Sequence, residues 1–189
     1  MQENYEKFDK DSANFVPLSP VSFLNRAEAL HGTRTAVIYG ELQRSWAEMA
    51  TRVHAVAAGL VAMGIGRGDT VSVLCPNIPE LFELHFALPL TGAVINTLNT
   101  RLEPGTIAYI LNHADTKAVI VDRELIPLLI RAFEELGRNL PVIEIADPNT
   151  SVSHTLGGQD YEDLLQDAGP AGTLGLPDDE WDAIALNYT

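Results

Sequence analysis

Between residues 35 and 147 the apolar pattern of this chain changes period several times, and that change restricts its fold more than any other feature. Short, nearly unbroken apolar runs recur: TVSVLCP (70–76), AVINTLN (93–99), KAVIVD (117–122) and PVIEIAD (141–147). Between them, apolar residues return every third or fourth position. Runs of this kind read as strands covered on both faces. Strands that alternate with single-faced helices close into a parallel sheet with helices packed on it. The expected class is therefore α/β, a mainly parallel sheet flanked by helices.

The ends of the elements are written in turn and cap chemistry. TAVIYG and LQRSW flank Gly40 and Glu41, predicting a hairpin with glycine in the turn. Ser45 with Glu48 three residues on makes a capping box, and the helix it opens carries Trp46, Met49, Val53, Val56 and Leu60 on one stripe up to Gly64. Asn77 is the expected cap of the next helix, with Pro79 and Glu80 in its first turn. Pro89 lies inside that helix and should end or kink it. Further helices are expected from Pro104, bearing Ile107, Ile110 and Leu111, and over Leu125–Leu136, closed by Gly137. Residues 148–180 are rich in Gly, Pro, Ser, Thr and acids, with one short amphipathic piece at 161–165, and predict a long surface excursion. The chain then re-enters the sheet at WDAIALNYT, expected as a buried strand about to turn.

Composition excludes several functions. Of 189 residues, 12 are Lys or Arg and 26 Asp or Glu, a net charge of −14. Nucleic-acid binding by counterion release needs a basic face, so that class is set aside. No apolar run approaches the roughly 20 residues of a membrane helix, and the polar start MQENYEKFDKDSANF is neither a signal nor a transit peptide. The single Cys75 cannot form an internal disulfide and sits in an apolar strand, which fits a buried thiol in a reduced, cytoplasmic setting. The five His are scattered, without partners at metal-ligand spacing.

Two motifs bear on ligand binding. GIGRGD (64–69) has alternating glycines, but a helix precedes it and a strand follows, the reverse of a dinucleotide-binding turn. NTRLEPG (99–105) lies between a strand and a helix, at the expected carboxyl edge of the sheet, where ligands bind in open α/β folds; Arg101 is its candidate binding residue, the alternative being a solvated arginine that balances Glu103. In NIPELFELHF, Glu80 reads as a cap carboxylate, Glu83 as an exposed helix residue and His85 as a core histidine or one that lines a pocket. No nucleophile, base and acid stand together at catalytic spacing.

In order and spacing, NFVPLSPVSFLNRAEALHGTRTAVIYG, SWAEMATRVHAVAAGLVAMGIGRGDTVSVLCPN, GAVINTLNTRLEPGTIAYILNHADTKAVIVD and DDEWDAIALNYT resemble the amino-terminal part of the adenylate-forming enzymes, acyl-CoA synthetases in particular. PLSPVSFL and ELHF…GAVINTLNTRL look like the group acting on short- to medium-chain fatty acids. Residues 1–16 read as a polar arm from their composition, and the resemblance implies a subdomain of the adenylating domain over 17–189, cut at the start of the ATP phosphate loop. NYT matches the entry to that loop, so Thr189 is implied to contact phosphate or its Mg2+. Arg101 matches an arginine that meets the nucleotide phosphate of coenzyme A, with Thr100 standing where the relative has proline. The implied reaction joins a carboxylic acid to coenzyme A through an acyl-adenylate, using ATP. The family's other catalytic groups would lie beyond Thr189, so the fragment alone should be inactive, and an uncovered edge at AIALNYT should favour a homodimer. The alternatives are a carrier-protein adenylating domain, a luciferase-like enzyme, or a non-catalytic binding module.

Overall fold

The computed structural model describes residues 13–16, 18–152, 154–166, 174–175, 177 and 179–188. The polar arm therefore falls largely outside the described residues, as does Thr189. Helix α1 (Pro20–His31) starts from Ser19, whose hydroxyl accepts from the Val21 N–H. Strands β1 (Thr35–Tyr39) and β2 (Leu42–Ser45) form the expected antiparallel hairpin, a two-stranded sheet of their own. Its two-residue turn places Gly40 at φ +58°, where a side chain would be strained. The capping box opens α2 (Trp46–Ala62): Ser45 Oγ accepts from the Glu48 N–H and Glu48 accepts from the Ser45 N–H.

From here strand and helix alternate: β3 (Thr70–Leu74), α3 (Pro79–Thr91), β4 (Val94–Thr97), α4 (Pro104–His113), β5 (Thr116–Asp122), α5 (Ile126–Leu136) and β6 (Val142–Ile145). A 3₁₀ turn (Arg123–Leu125) leads into α5. Pro89 does end its helix, which stops two residues later at Thr91. Asn77 does not cap α3: Ile78 holds the cap position and no side chain bonds there. Pro79 at the first turn removes one of the N–H groups a cap would have had to satisfy.

The excursion after β6 is more than surface. It adds β7 (Gln159–Asp160) to the sheet edge, and α6 (Tyr161–Gln166) buries Tyr161 and Leu164 almost completely. Finally β8 (Ala185–Leu186) pairs with β4 at the opposite edge. The sheet has six strands in the order β7-β6-β5-β3-β4-β8, every neighbouring pair parallel. The expected buried final strand is instead a short edge strand whose residues are exposed or half-buried, since no described element covers its outer side.

Alternation along the strands divides the core between the two faces. Val71, Val73, Ile120 and Ile143 face α1, α2, α3 and α6, while Leu74, Val119 and Val121 face α4 and α5. On the second face a polar chain crosses three strands: Asn96 Nδ2 donates to Ser72 Oγ at 2.9 Å, and Ser72 Oγ lies 2.8 Å from Thr116 Oγ1. No helix among the described residues is long and apolar enough to cross a membrane.

Candidate functional site

Strand order marks one edge of the sheet as the place to look. The connection leaving β3 runs to β4 on one side, and the connection leaving β5 runs to β6 on the other. The loops after β3 and β5 therefore part at the carboxyl edge and leave a crevice, the usual ligand position in an open α/β sheet. Beside that crevice, between the ends of β3 and β4, a cleft of about 530 Å³ opens on the same edge, lined in part by Cys75, Asn77, His85, Thr97, Asn99 and Thr100. A second cleft of about 450 Å³, between the β1–β2 hairpin and α3, shares Asn77, Leu81 and His85 with it.

The NTRLEPG loop sits at this edge as expected. Asn99 Oδ1 accepts from the Arg101 N–H at 2.9 Å, a local turn that sets the direction of the following residues. Thr100 lines the cleft, and Arg101 follows it with an exposed side chain. Pro104 then starts α4, whose N-terminal N–H groups point back toward the same edge. Because β8 runs parallel to β4, with Ile95 opposite Ala185 and Asn96 opposite Leu186, the residues after β8 are carried to that edge too. Arg101 and Tyr188 thus follow the carboxyl ends of neighbouring strands.

Cys75 and Asp122 follow the paired residues Leu74 and Val121 on β3 and β5. Burial pushes the Cys75 thiol up to about 12, and the charges of Asp122 and Glu80 add to the shift. A thiol held so firmly protonated is no nucleophile. Asp122 is 1% exposed; Oδ1 accepts from the Glu124 N–H at 2.7 Å, while Oδ2 has no partner among the described residues. Burial raises its carboxyl as well.

Two sequence readings at α3 are corrected, and a third is decided between its alternatives. Glu83 is not exposed but wholly buried: it accepts from Arg52 Nε at 2.6 Å, Arg44 Nη1 at 2.8 Å and the Tyr161 hydroxyl at 3.0 Å. Glu80 is no cap; it is buried 3.6 Å from Arg44, its carboxyl raised by burial and by Glu83. His85 is not in the core. It is exposed and lines both clefts, with Nδ1 2.7 Å from the Leu81 carbonyl, so in this geometry Nδ1 carries the proton. The arginines that bury Glu83 come from β2 and α2, and no local sequence pattern links them to α3. Glu162 completes the cluster, held low by its bond to Arg52.

Among the described residues no group of three or more His, Cys, Asp or Glu is placed to hold a metal ion. What the edge offers is hydroxyls, amides, a helix N-terminus and one exposed guanidinium, a set suited to binding a polar or anionic ligand.

The family described as AMP-binding enzyme matches residues 24–189. An acetate–CoA ligase from Humulus lupulus is 39% identical over 192 residues, covering 95% of this chain and 34% of that protein. A butyrate–CoA ligase from Arabidopsis thaliana is 38% identical over 190 residues, covering 94% and 32%. This chain thus spans about a third of the length of the curated relatives it matches. The solved structure of an anthranilate CoA ligase bound to anthranoyl-AMP superposes with a TM-score of 0.80 at 21% identity, over 96% of this chain and 34% of that one. A benzoate CoA ligase from Burkholderia xenovorans superposes at 0.71 and 22% identity, over 83% and 30%. At these identities the structural likeness is one of fold.

Proposed function

This chain belongs to the AMP-binding enzyme family, and we propose that the whole protein is an AMP-forming acyl-CoA ligase acting on a short- to medium-chain carboxylic acid. Residues 17–189 would form the first part of its adenylating domain. The reaction would run in two displacements. A carboxylate oxygen attacks the α-phosphorus of ATP and expels pyrophosphate; the coenzyme A thiol then attacks the acyl carbonyl, giving up its proton to solvent as AMP leaves. Both steps depend on positioning and on stabilising charge at phosphorus and carbonyl.

The observation that supports this most is the parallel pairing of β8 with β4. It brings the residue before Thr189 to the edge that already carries the NTRLEPG loop, as a phosphate loop beside a coenzyme-binding arginine would require. In this reading the Thr189 hydroxyl meets the triphosphate, and Arg101 meets a phosphate of coenzyme A. Magnesium would arrive as the complex of the triphosphate and supply charge neutralisation there. Thr189 is the one residue of this chain assigned to that complex.

Names of relatives favour acids of different kinds. The acetate and butyrate ligases support a short aliphatic acid, and a benzoate–CoA ligase from Arabidopsis thaliana, 39% identical, supports an aromatic one. The peroxisomal names of several relatives support a peroxisomal location beside the cytoplasmic one.

The test is acid-dependent exchange of labelled pyrophosphate into ATP by the whole protein, with acetate, butyrate, octanoate and benzoate, followed by thioester formation with coenzyme A. Exchange without thioester would favour a carrier-protein adenylating enzyme. No exchange with any acid would leave a binding module.

A further inference from the structure

The segment leading to Thr189 has little ladder to hold it, because β8 contributes two residue pairs to the sheet. Side-chain contacts tether it at both ends. At its start Arg67 Nη2 donates to the Asp182 carboxylate at 2.8 and 3.0 Å. At its end the Tyr188 hydroxyl lies 2.7 Å from Nδ1 of His113, in the last turn of α4. The two rings meet edge to face, 5.7 Å between centroids, and the imidazole also stacks on Tyr109 one helical turn earlier, at 5.5 Å and 21°. Leu98, Ile107 and Leu111 belong to the apolar cluster on which Tyr188 rests. These contacts tie the Tyr188 ring to α4 and with it the backbone that carries the ring.

We infer that His113 is a positioning residue for nucleotide binding: through the Tyr188 hydroxyl it fixes where the chain leaves β8, and so bears on how Thr189 would meet the triphosphate of ATP. The inference rests on the phosphate-loop assignment of Thr189 proposed above. His113 touches no reacting atom in this arrangement; it acts through Tyr188. The contact holds whichever partner donates, since a neutral imidazole accepts at Nδ1 and the phenol oxygen accepts from a protonated one.

The experiment is equilibrium binding of ATP to the whole protein by calorimetry, with coenzyme A titrated as a second probe. His113→Ala should weaken ATP binding about three- to tenfold, the range of one lost hydrogen bond, and leave coenzyme A binding within about twofold. Tyr188→Phe keeps the ring and should match it. His113→Asn keeps a hydrogen-bonding atom near the place of Nδ1 and should restore ATP binding. The double variant His113→Ala with Tyr188→Phe should lose no more than either single one. Wild-type ATP binding with an unchanged His113→Ala overturns the inference alone. Multiplying losses in the double variant, or equal losses for ATP and coenzyme A, overturn it as well. A wild-type protein that binds no ATP overturns the phosphate-loop assignment, and this inference falls with it.

Discussion

Arg52 of α2 and Glu83 of α3 meet at 2.6 Å over a carboxylate with no solvent exposure at all. Arg44 from the hairpin reaches the same oxygen, and Tyr161 from α6 reaches the other. One glutamate on α3 is therefore joined to β2 and α2, which precede it in the chain, and to α6, far beyond it. Its removal would take the shared acceptor from two guanidinium groups, each less than a fifth exposed, leaving Arg52 on Glu162 and Arg44 beside Glu80. Breaking a buried pair costs about 3–5 kcal/mol where a charge is left uncompensated, and the remaining acids put the loss here near the lower end of that range. Glu83→Ala should show that loss in urea unfolding, whereas Lys117→Ala, which removes an exposed pair with Asp115, should change stability by less than about 1 kcal/mol. Equal effects would mean that the buried cluster does not hold these elements together.

Glu144 predicts an acid-side dependence of stability. Burial works to raise its carboxyl, but the Leu156 and Gly158 N–H groups, the Thr155 hydroxyl and Arg123 outweigh burial and hold it below its ordinary value. A carboxyl lowered in the folded state stabilises fully above its unfolded value of about 4.3 and loses that contribution as pH falls through the lower folded value. Glu80 and Asp122, raised by burial, act in the opposite sense, so the effect is read as a difference. The gap in urea midpoint between wild type and Glu144→Gln should be widest near neutrality and shrink below about pH 4. A gap that is constant with pH would contradict the assignment.

Cys75 should behave as a sealed thiol. With burial pushing it up to about 12 and only 6% of its surface exposed, labelling by a disulfide reagent at a pH of about 8 should wait for the protein to open. The labelling rate should fall in step with added stability, and prompt labelling of the native protein would refute its burial.

Arg101→Ala in the whole protein should raise the KM for coenzyme A about tenfold, as for loss of one charge-assisted contact, with the KM for ATP unchanged. A change confined to ATP or to the acid would place Arg101 elsewhere in the reaction.

The edge strand β8 predicts self-association of this 189-residue chain when studied alone. Among the described residues it has β4 on one side and no neighbour on the other, and an open edge is a template for pairing. Sedimentation should show mass rising with concentration, and Ala185→Lys, at an exposed position of that strand, should suppress it. A monomer at all concentrations would remove the homodimer from consideration.

What the amino-acid sequence determines by itself is local. The alternation of periods, the Ser45–Glu48 box, the Gly40 turn and the prolines that open helices all act within a few residues. The hairpin, the helices and the parallel class follow from them. The carboxyl-edge placement of NTRLEPG follows from strand and helix order alone. Family membership is legible too, because it rests on the order of many weak matches.

Tertiary structure decides whatever depends on contact across the fold. In sequence, Glu83, His85 and Glu80 have the look of ordinary helix residues; only the meeting of α3 with β2 and α2 buries the two acids, and only the cleft leaves His85 in the open. Gly59 would be a cost of about 1 kcal/mol inside a helix, yet a Cβ there would stand 2.7 Å from Leu164 and 2.8 Å from its carbonyl oxygen, so α6 can seat on α2 only over a glycine. His113 is an ordinary helix-end histidine until β8 brings Tyr188 to it, 75 residues later in the chain. Local propensities are set by a residue's neighbours in sequence. Burial, ion pairing and the aiming of side chains are set by neighbours in space, which exist only once the sheet has assembled.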